Sequence, residues 1–178
     1  MAYKVKGSRN MSEIINVLIA FDAYSIAKQY PDASKDYTEP TYVDQSLIYM
    51  TTRQDRVVGT SGAELNFRAN PRDIIRWRET TLSLNSEYCA LLYRYVSADP
   101  LISTPQVVIG DATYPIPKDG AADRPDFETQ DYEDHFWEAD VKKTGEVTYH
   151  FYFQILDSDQ QLVGYFQWDP FITIEKRS

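Results

Sequence analysis

A single cysteine, Cys89, stands in this 178-residue chain. No internal disulfide can form, and the chain suits a reducing compartment. Apolar runs are short: none reaches the ~18 residues that suggest a membrane span. The first residues, Met1 to Glu13, hold Lys4, Lys6 and Arg9 but lack the apolar stretch of a signal peptide. A cytoplasmic location is therefore expected. Only seven glycines are present, which argues against a phosphate-cradling loop. There is no G-x-S-x-G and no H-E-x-x-H. The only histidines are His135 and His150. His150 alternates with apolar aromatics and so faces outward, while His135 sits among acids, a poor setting for a general base. Cys89 lies in the most apolar stretch, where a thiol behaves as a small inert hydrophobe. These absences leave no catalytic constellation, and no enzyme is expected.

Positive charge is also scarce. The formal net charge is −9 and the sequence pI about 4.7, which disfavours nucleic acid and anionic membranes as partners. Most of the imbalance falls between Asp119 and Asp140, where nine carboxylates face one basic residue, Arg124. Hard cations take several oxygen ligands from flexible loops, but the order D-x-D-x-D-G of a calcium loop occurs nowhere. Asp157 and Asp159 begin such a pattern, yet Gln161 and Trp168 stand where later ligands belong. The plain reading is a solvated acidic loop, so neither a metal nor a cofactor is expected.

What the chain does have is apolar and aromatic material, 43% and 14% of its residues. That is enough for a sizeable core in one domain, without staples. The clearest pattern is at the end. Tyr149, Phe151, Phe153 and Ile155 alternate with polar or outward residues, the period of two of a strand. Asp157 to Gln161 supplies a turn. Leu162 to Trp168 returns with Phe166 and Trp168 on one face, Asp169-Pro170 breaks the ladder, and Phe171 to Glu175 follows. At the other end, Ile14 to Phe21 is near-continuous apolar and predicts a strand covered on both faces. Asp22 caps a short helix through Tyr30, which Pro31 ends.

Between these ends, residues 31–45 read as a long loop, and strands are predicted over 46–52, 56–59 and 64–67. Over 73–79, Ile75 and Trp77 share one face while Arg76 and Arg78 share the other. Tyr88 to Val96 predicts a central strand, and 106–109 a weaker one. Residues 110–136 read as loop throughout, before a last strand at 137–142. About ten short strands and one brief helix predict an all-β, antiparallel β-sandwich, immunoglobulin-like or jelly-roll-like. Residues 1–13 are expected to be an N-terminal arm and 14–178 a single domain.

Fourteen tyrosines exceed what a core requires, because each buried hydroxyl needs a partner. Tyr24, Tyr30, Tyr37, Tyr42, Tyr114 and Tyr132 fall in the predicted helix and loops. Exposed tyrosines favour contact surfaces, with sugars or with copies of the same chain. Residues 53–94 hold seven arginines against five acids. Guanidinium groups pair bidentately with carboxylates, so Arg76 and Arg78 are expected assembly contacts, with Asp131 and Asp134 of the acidic stretch as their counterparts.

Several segments in order resemble the AidA/PixA inclusion-body protein family. They are Ile15-Asn16-Val17-Leu18-Ile19 leading to Asp22, Tyr30-Pro31, Ser34-Lys35-Asp36 and Pro40-Thr41. Asp55-Arg56-Val57, Glu64-Leu65-Asn66-Phe67, Asp73 to Arg78 and Gly164 to Pro170 follow. The resemblance implies a bacterial, non-secreted β-sandwich protein. Some members accumulate as crystalline cytoplasmic inclusions in bacteria associated with insects and nematodes, and others are abundant products under quorum control. No catalytic residue comes with it. The inclusion protein that gave the family half its name is methionine-rich, whereas this chain has three Met, so a sulfur-storage role does not carry over. The expected function is self-assembly into cytoplasmic inclusions, with copies of the chain as partners. The alternative is a carbohydrate-binding, lectin-like module.

Overall fold

A computed structural model describes residues 12–59, 62–97, 100–119 and 126–176. Eleven strands and one α-helix are described. In chain order they are β1 (Ile14–Phe21), α1 (Ala23–Gln29), β2 (Thr41–Tyr42), β3 (Ile48–Thr51), β4 (Phe67–Ala69) and β5 (Ile74–Thr81). β6 (Tyr88–Ser97), β7 (Gln106–Pro117), β8 (Phe127–Asp140), β9 (Gly145–Asp157), β10 (Leu162–Trp168) and β11 (Phe171–Lys176) complete it. All but residues 12 and 13 of the expected N-terminal arm lies outside the described residues. Glu13 itself is fastened: its N–H donates to Asp73 Oδ1 at 3.0 Å, and its carboxylate pairs with Arg56.

The strands form two sheets. One runs β3-β1-β5-β8-β7; the other runs β2-β10-β9-β11-β4, with β6 on the opposite edge of β9. The expected antiparallel pattern holds only in part. β1 lies parallel to β5, β2 to β10 and β4 to β11, so both sheets are mixed. β1 pairs antiparallel with β3 and parallel with β5, and short β2 and β4 add in parallel beside the C-terminal strands.

The alternation read in β9 and β10 becomes the middle of the core. Tyr149, Phe151, Phe153, Ile155, Phe166 and Trp168 are fully buried. Phe21 of β1 stacks on Phe153 with centroids 4.2 Å apart, and Trp77 of β5 meets Phe151 edge-on at 5.6 Å. These contacts pack the two sheets across one shared core. α1 closes one end. The Asp22 carboxylate accepts from Ser25 N–H at 3.1 Å, and Ala23 and Ile26 are buried.

Four expectations need correction. β1 is covered on one face only: Ile15, Val17, Ile19 and Phe21 are buried, whereas Ile14 and Leu18 are exposed. β6 is an edge strand rather than a central one, which leaves Cys89 half-buried, its Sγ 3.3 Å from the Asn85 carbonyl. Residues 31–45 contribute to the core through Ala33 and Val43. Ser34 O accepts from Tyr165 N–H at 2.8 Å, so this segment lies over β10. That approach needs Gly164, where an added Cβ would lie 2.6 Å from the Ala33 Cβ.

The fourth correction concerns 110–136. This stretch is not a loop: β7 and β8 pair in unbroken register from Gln106↔Glu138 to Pro117↔Phe127. The prolines that suggested loop sit on an edge strand, where a missing N–H costs no ladder bond. The acids of β8 alternate on strands that water reaches from both sides, so no apolar face marks them.

Candidate functional site

The β7–β8 pair outruns the sheet that carries it. β8 pairs with β5 only from Trp137↔Trp77 to Asp140↔Ile74. From Phe127 to Phe136, β8 pairs with β7 alone among the described residues. A two-stranded ribbon is marginally stable in water by itself. Here it also exposes Val107, Val108, Ile109, Tyr114, Phe127 and Tyr132. Scattered surface apolar residues are ordinary, but a contiguous set marks a contact surface.

The arginines and acids singled out in the sequence meet at the base of this ribbon. Arg76 Nε donates to Glu138 Oε2 at 2.7 Å, and its guanidinium lies 4.4 Å from the Phe136 ring centroid. Arg78 pairs with Asp134 and donates to the His135 carbonyl at 2.6 Å. Arg76, Arg78 and Asp134 are thus joined within one molecule. Asp131 is elsewhere: strand alternation sends it to the face opposite Asp134, where it accepts from Thr113 Oγ1 at 2.7 Å. The cluster borders a depression of about 420 Å³ on the outer sheet face, with Leu18 and Phe136 in its wall.

On the inner side, a cleft of about 330 Å³ separates the ribbon from the second sheet. Leu91, Val107, Ile109 and Trp137 line it, with His135 and Gln154. Beside it, buried Glu79 accepts from His135 Nε2 at 2.8 Å and from Leu92 N–H at 3.2 Å. Its second oxygen has no partner within the described residues. The pair ties β5, β6 and β8 together. No described hydrogen bond joins His135 to a hydroxyl or thiol. Sequence reasoning missed both the ribbon and this pair. Pro115 and Pro117, two residues apart, carried a usable signal, because that spacing puts both N–H positions on one edge.

Two groups of tyrosines pack ring to ring on the surface. Tyr114 and Tyr132 meet edge-on across the ribbon at 6.3 Å. Tyr37, Tyr93, Tyr152 and Tyr165 form a second cluster on the outer face of the other sheet, with interplanar angles of 71°, 76° and 59° between neighbours. Burial pushes the Tyr93 phenol up to about 12. Rings set edge to face offer no coplanar platform for a sugar to stack on. Among the described residues no group of three His, Cys, Asp or Glu could hold a metal ion. No described helix is long and apolar enough to cross a membrane.

Comparison with known proteins adds three findings. The family described as PixA, inclusion body protein, matches residues 13–174. A crystal structure of an inclusion body protein (PixA) from Burkholderia cenocepacia is similar in fold. The TM-score is 0.77 at 19% identity, over 97% of this chain and 100% of that one. No curated protein matches the chain by sequence.

Proposed function

Because the chain belongs to the PixA inclusion body protein family, we propose that it is a non-enzymatic bacterial protein that self-assembles into crystalline cytoplasmic inclusions. The single observation that carries this reading is the β7–β8 ribbon, an extended element on which Val107, Ile109, Tyr114 and Phe127 are exposed among the described residues. Its two packed sheets are read as a β-sandwich with mixed pairing, serving as a rigid body from which the ribbon projects. Arg76, Arg78, Asp131 and Asp134 are assigned to assembly: the arginines set the angle at which the ribbon leaves β5, and the acids lie along its two faces. The alternative of a carbohydrate-binding module draws on the exposed tyrosines, notably Tyr37 at 60% exposure, but their edge-to-face packing gives it less support.

With a pI near 4.7, mild acidification lowers repulsion between copies, and alkaline pH raises it. Light scattering of purified protein across pH and salt tests the reading. Expected are large species near and below neutral pH that shrink at strongly alkaline pH, where repulsion between copies mounts. The Arg76→Ala/Arg78→Ala variant should assemble less. A monodisperse monomer at high concentration under every condition would refute self-assembly.

A further inference from the structure

The backbone of β7 states which of its groups are spoken for. Lys118 N–H donates to the Asp126 carbonyl, directly opposite in the register, at 3.3 Å. Opposed residues exchange bonds only at alternate positions of an antiparallel pair. Even-numbered residues of β7 therefore bond to β8, and odd-numbered ones turn their N–H and C=O groups to the open edge. The far side of β8 obeys the same parity: Val141 N–H donates to Asp73 O at 2.8 Å, continuing the Trp77↔Trp137 and Ile75↔Ala139 register toward β5. Pro105, Pro115 and Pro117 all fall on odd positions, where no donor to β8 is needed.

Other edges are short or covered in part. β3 is covered at Met50, whose N–H donates to Gly62 O at 2.7 Å. β4 is flanked by Arg56 and Val58, and β6 is capped at Leu92 by Glu79. The outer edge of β7 has no strand beside it among the described residues. Val107, Ile109, Asp111 and Thr113 line it, bounded by a proline at each end. Prolines blunt its two ends, but the four residues between them turn N–H and C=O groups to an edge with no strand beside it among the described residues, a template for a further strand.

We propose that a second copy of this chain adds to that edge, antiparallel, about a two-fold axis at Gly110. The inference rests on the self-assembly reading and names its contact. In this register Val107 meets the partner copy's Thr113, Ile109 meets Asp111, and each outward pair exchanges N–H···O=C bonds. Pro105 falls opposite Pro115, so the residues without donors face each other. Centring on Ile109 would set Thr113 against a proline. Centring on Asp111 would do the same to Val107 and would oppose two like charges.

Charge selects the same partner. The ribbon tip carries exposed Asp119 and Glu128, while Asp126 is paired with Lys118 at 3.1 Å. The ribbon base carries Lys142 and Lys143, exposed, with backbone N–H groups donating to Leu101 O at 2.8 and 3.2 Å. The two-fold brings the acidic tip of one copy beside the lysines of the other. Such an interface is isologous, and it joins two five-stranded sheets into one.

The test uses the full chain in a Cys89→Ser background. At the axis, Gly110 and its copy form a non-hydrogen-bonded pair with Cα atoms about 4.5 Å apart, within disulfide reach, and a Cβ at Gly110 meets nothing within 4 Å. Gly110→Cys should run mostly as a covalent dimer on non-reducing gels after air oxidation. Ile109→Pro removes an outward donor without touching the bonds to β8. It should move the monomer–dimer midpoint in sedimentation at least about tenfold to higher concentration. Should it fail to match the parent in near-UV circular dichroism, Thr113→Pro replaces it. If the parent assembles while Gly110→Cys stays uncrosslinked, the edge contact is wrong and self-assembly stands. A cross-link with an unmoved midpoint marks mere collision and also overturns the edge contact. A parent that is monomeric at every concentration overturns both.

Discussion

Trp168 tests how the core is built. Its ring is fully buried, stacked on Phe151 at 5.6 Å and 26°, and edge-on to Phe21 at 5.5 Å and Phe153 at 5.6 Å. A buried tryptophan removes about 200 Å² from water, which at ~25 cal/mol per Å² is roughly 5 kcal/mol gross. Against this stands Nε1, buried with no partner among the described residues; deleting it returns about 1–3 kcal/mol. The roughly 2–4 kcal/mol that remains is raised by the cavity left behind, so Trp168→Ala should cost about 3–5 kcal/mol. Trp168→Phe keeps a ring for all three aromatic neighbours and removes the orphaned donor, so it should cost below about 1.5 kcal/mol. Urea unfolding at low protein concentration, followed by far-UV circular dichroism, reads both. With a slope near 2 kcal/mol per molar, the Ala variant should unfold roughly 2 M earlier than the parent. A loss under about 1 kcal/mol for Ala would refute the core assignment. A Phe variant as weak as the Ala one would show that Nε1 is bonded and that the ledger is wrong.

Other outcomes follow from single contacts. Asp73 is buried and accepts from Glu13 N–H at 3.0 Å and Asn70 N–H at 2.8 Å; Asp73→Ala should cost about 2–5 kcal/mol in the same assay, and a neutral result would contradict that role. Gly164→Ala should destabilise clearly, since its Cβ would meet Ala33 Cβ at 2.6 Å, and a variant as stable as the parent would show that residues 31–45 do not lie where described. Burial raises the phenols of Tyr93, Tyr95 and Tyr149 above their ordinary value near 10. The folded state then holds protons that the unfolded state releases, so stability is complete below pH ~10 and falls as pH rises through about 12; tyrosinate absorbance rising fully near pH 10 with the fold intact would contradict this. Cys89, half-buried on an edge strand, should react with a thiol reagent in the native protein, more slowly than after denaturation, and complete native protection would restore the central-strand reading.

The C-terminal strands were legible because one face is buried and aromatic while the other is wet, which is the condition that writes a period of two into a sequence. Asp73 to Glu79 was legible for the same reason, with Ile75 and Trp77 inward. The helix was marked by its cap at Asp22 and its stop at Pro31. β1 misled because Ile14 and Leu18 are apolar although they face outward. β6 misled similarly, since apolar residues on both faces suggested cover that the sheet does not supply. The ribbon was the largest miss. Its strands are held by cross-strand hydrogen bonds and small pairs such as Tyr114–Tyr132 rather than by a core, so its acids and prolines read as loop. Pairing partners are long-range facts, and neither the parallel neighbours of β1 nor the meeting of Arg78 with Asp134 has a local signature.

Electron microscopy of thin sections of cells producing the native chain tests the central claim most directly. Self-assembly predicts dense cytoplasmic bodies with a regular internal lattice. Protein spread evenly through the cytoplasm at high expression, with no ordered body in any section, would contradict it.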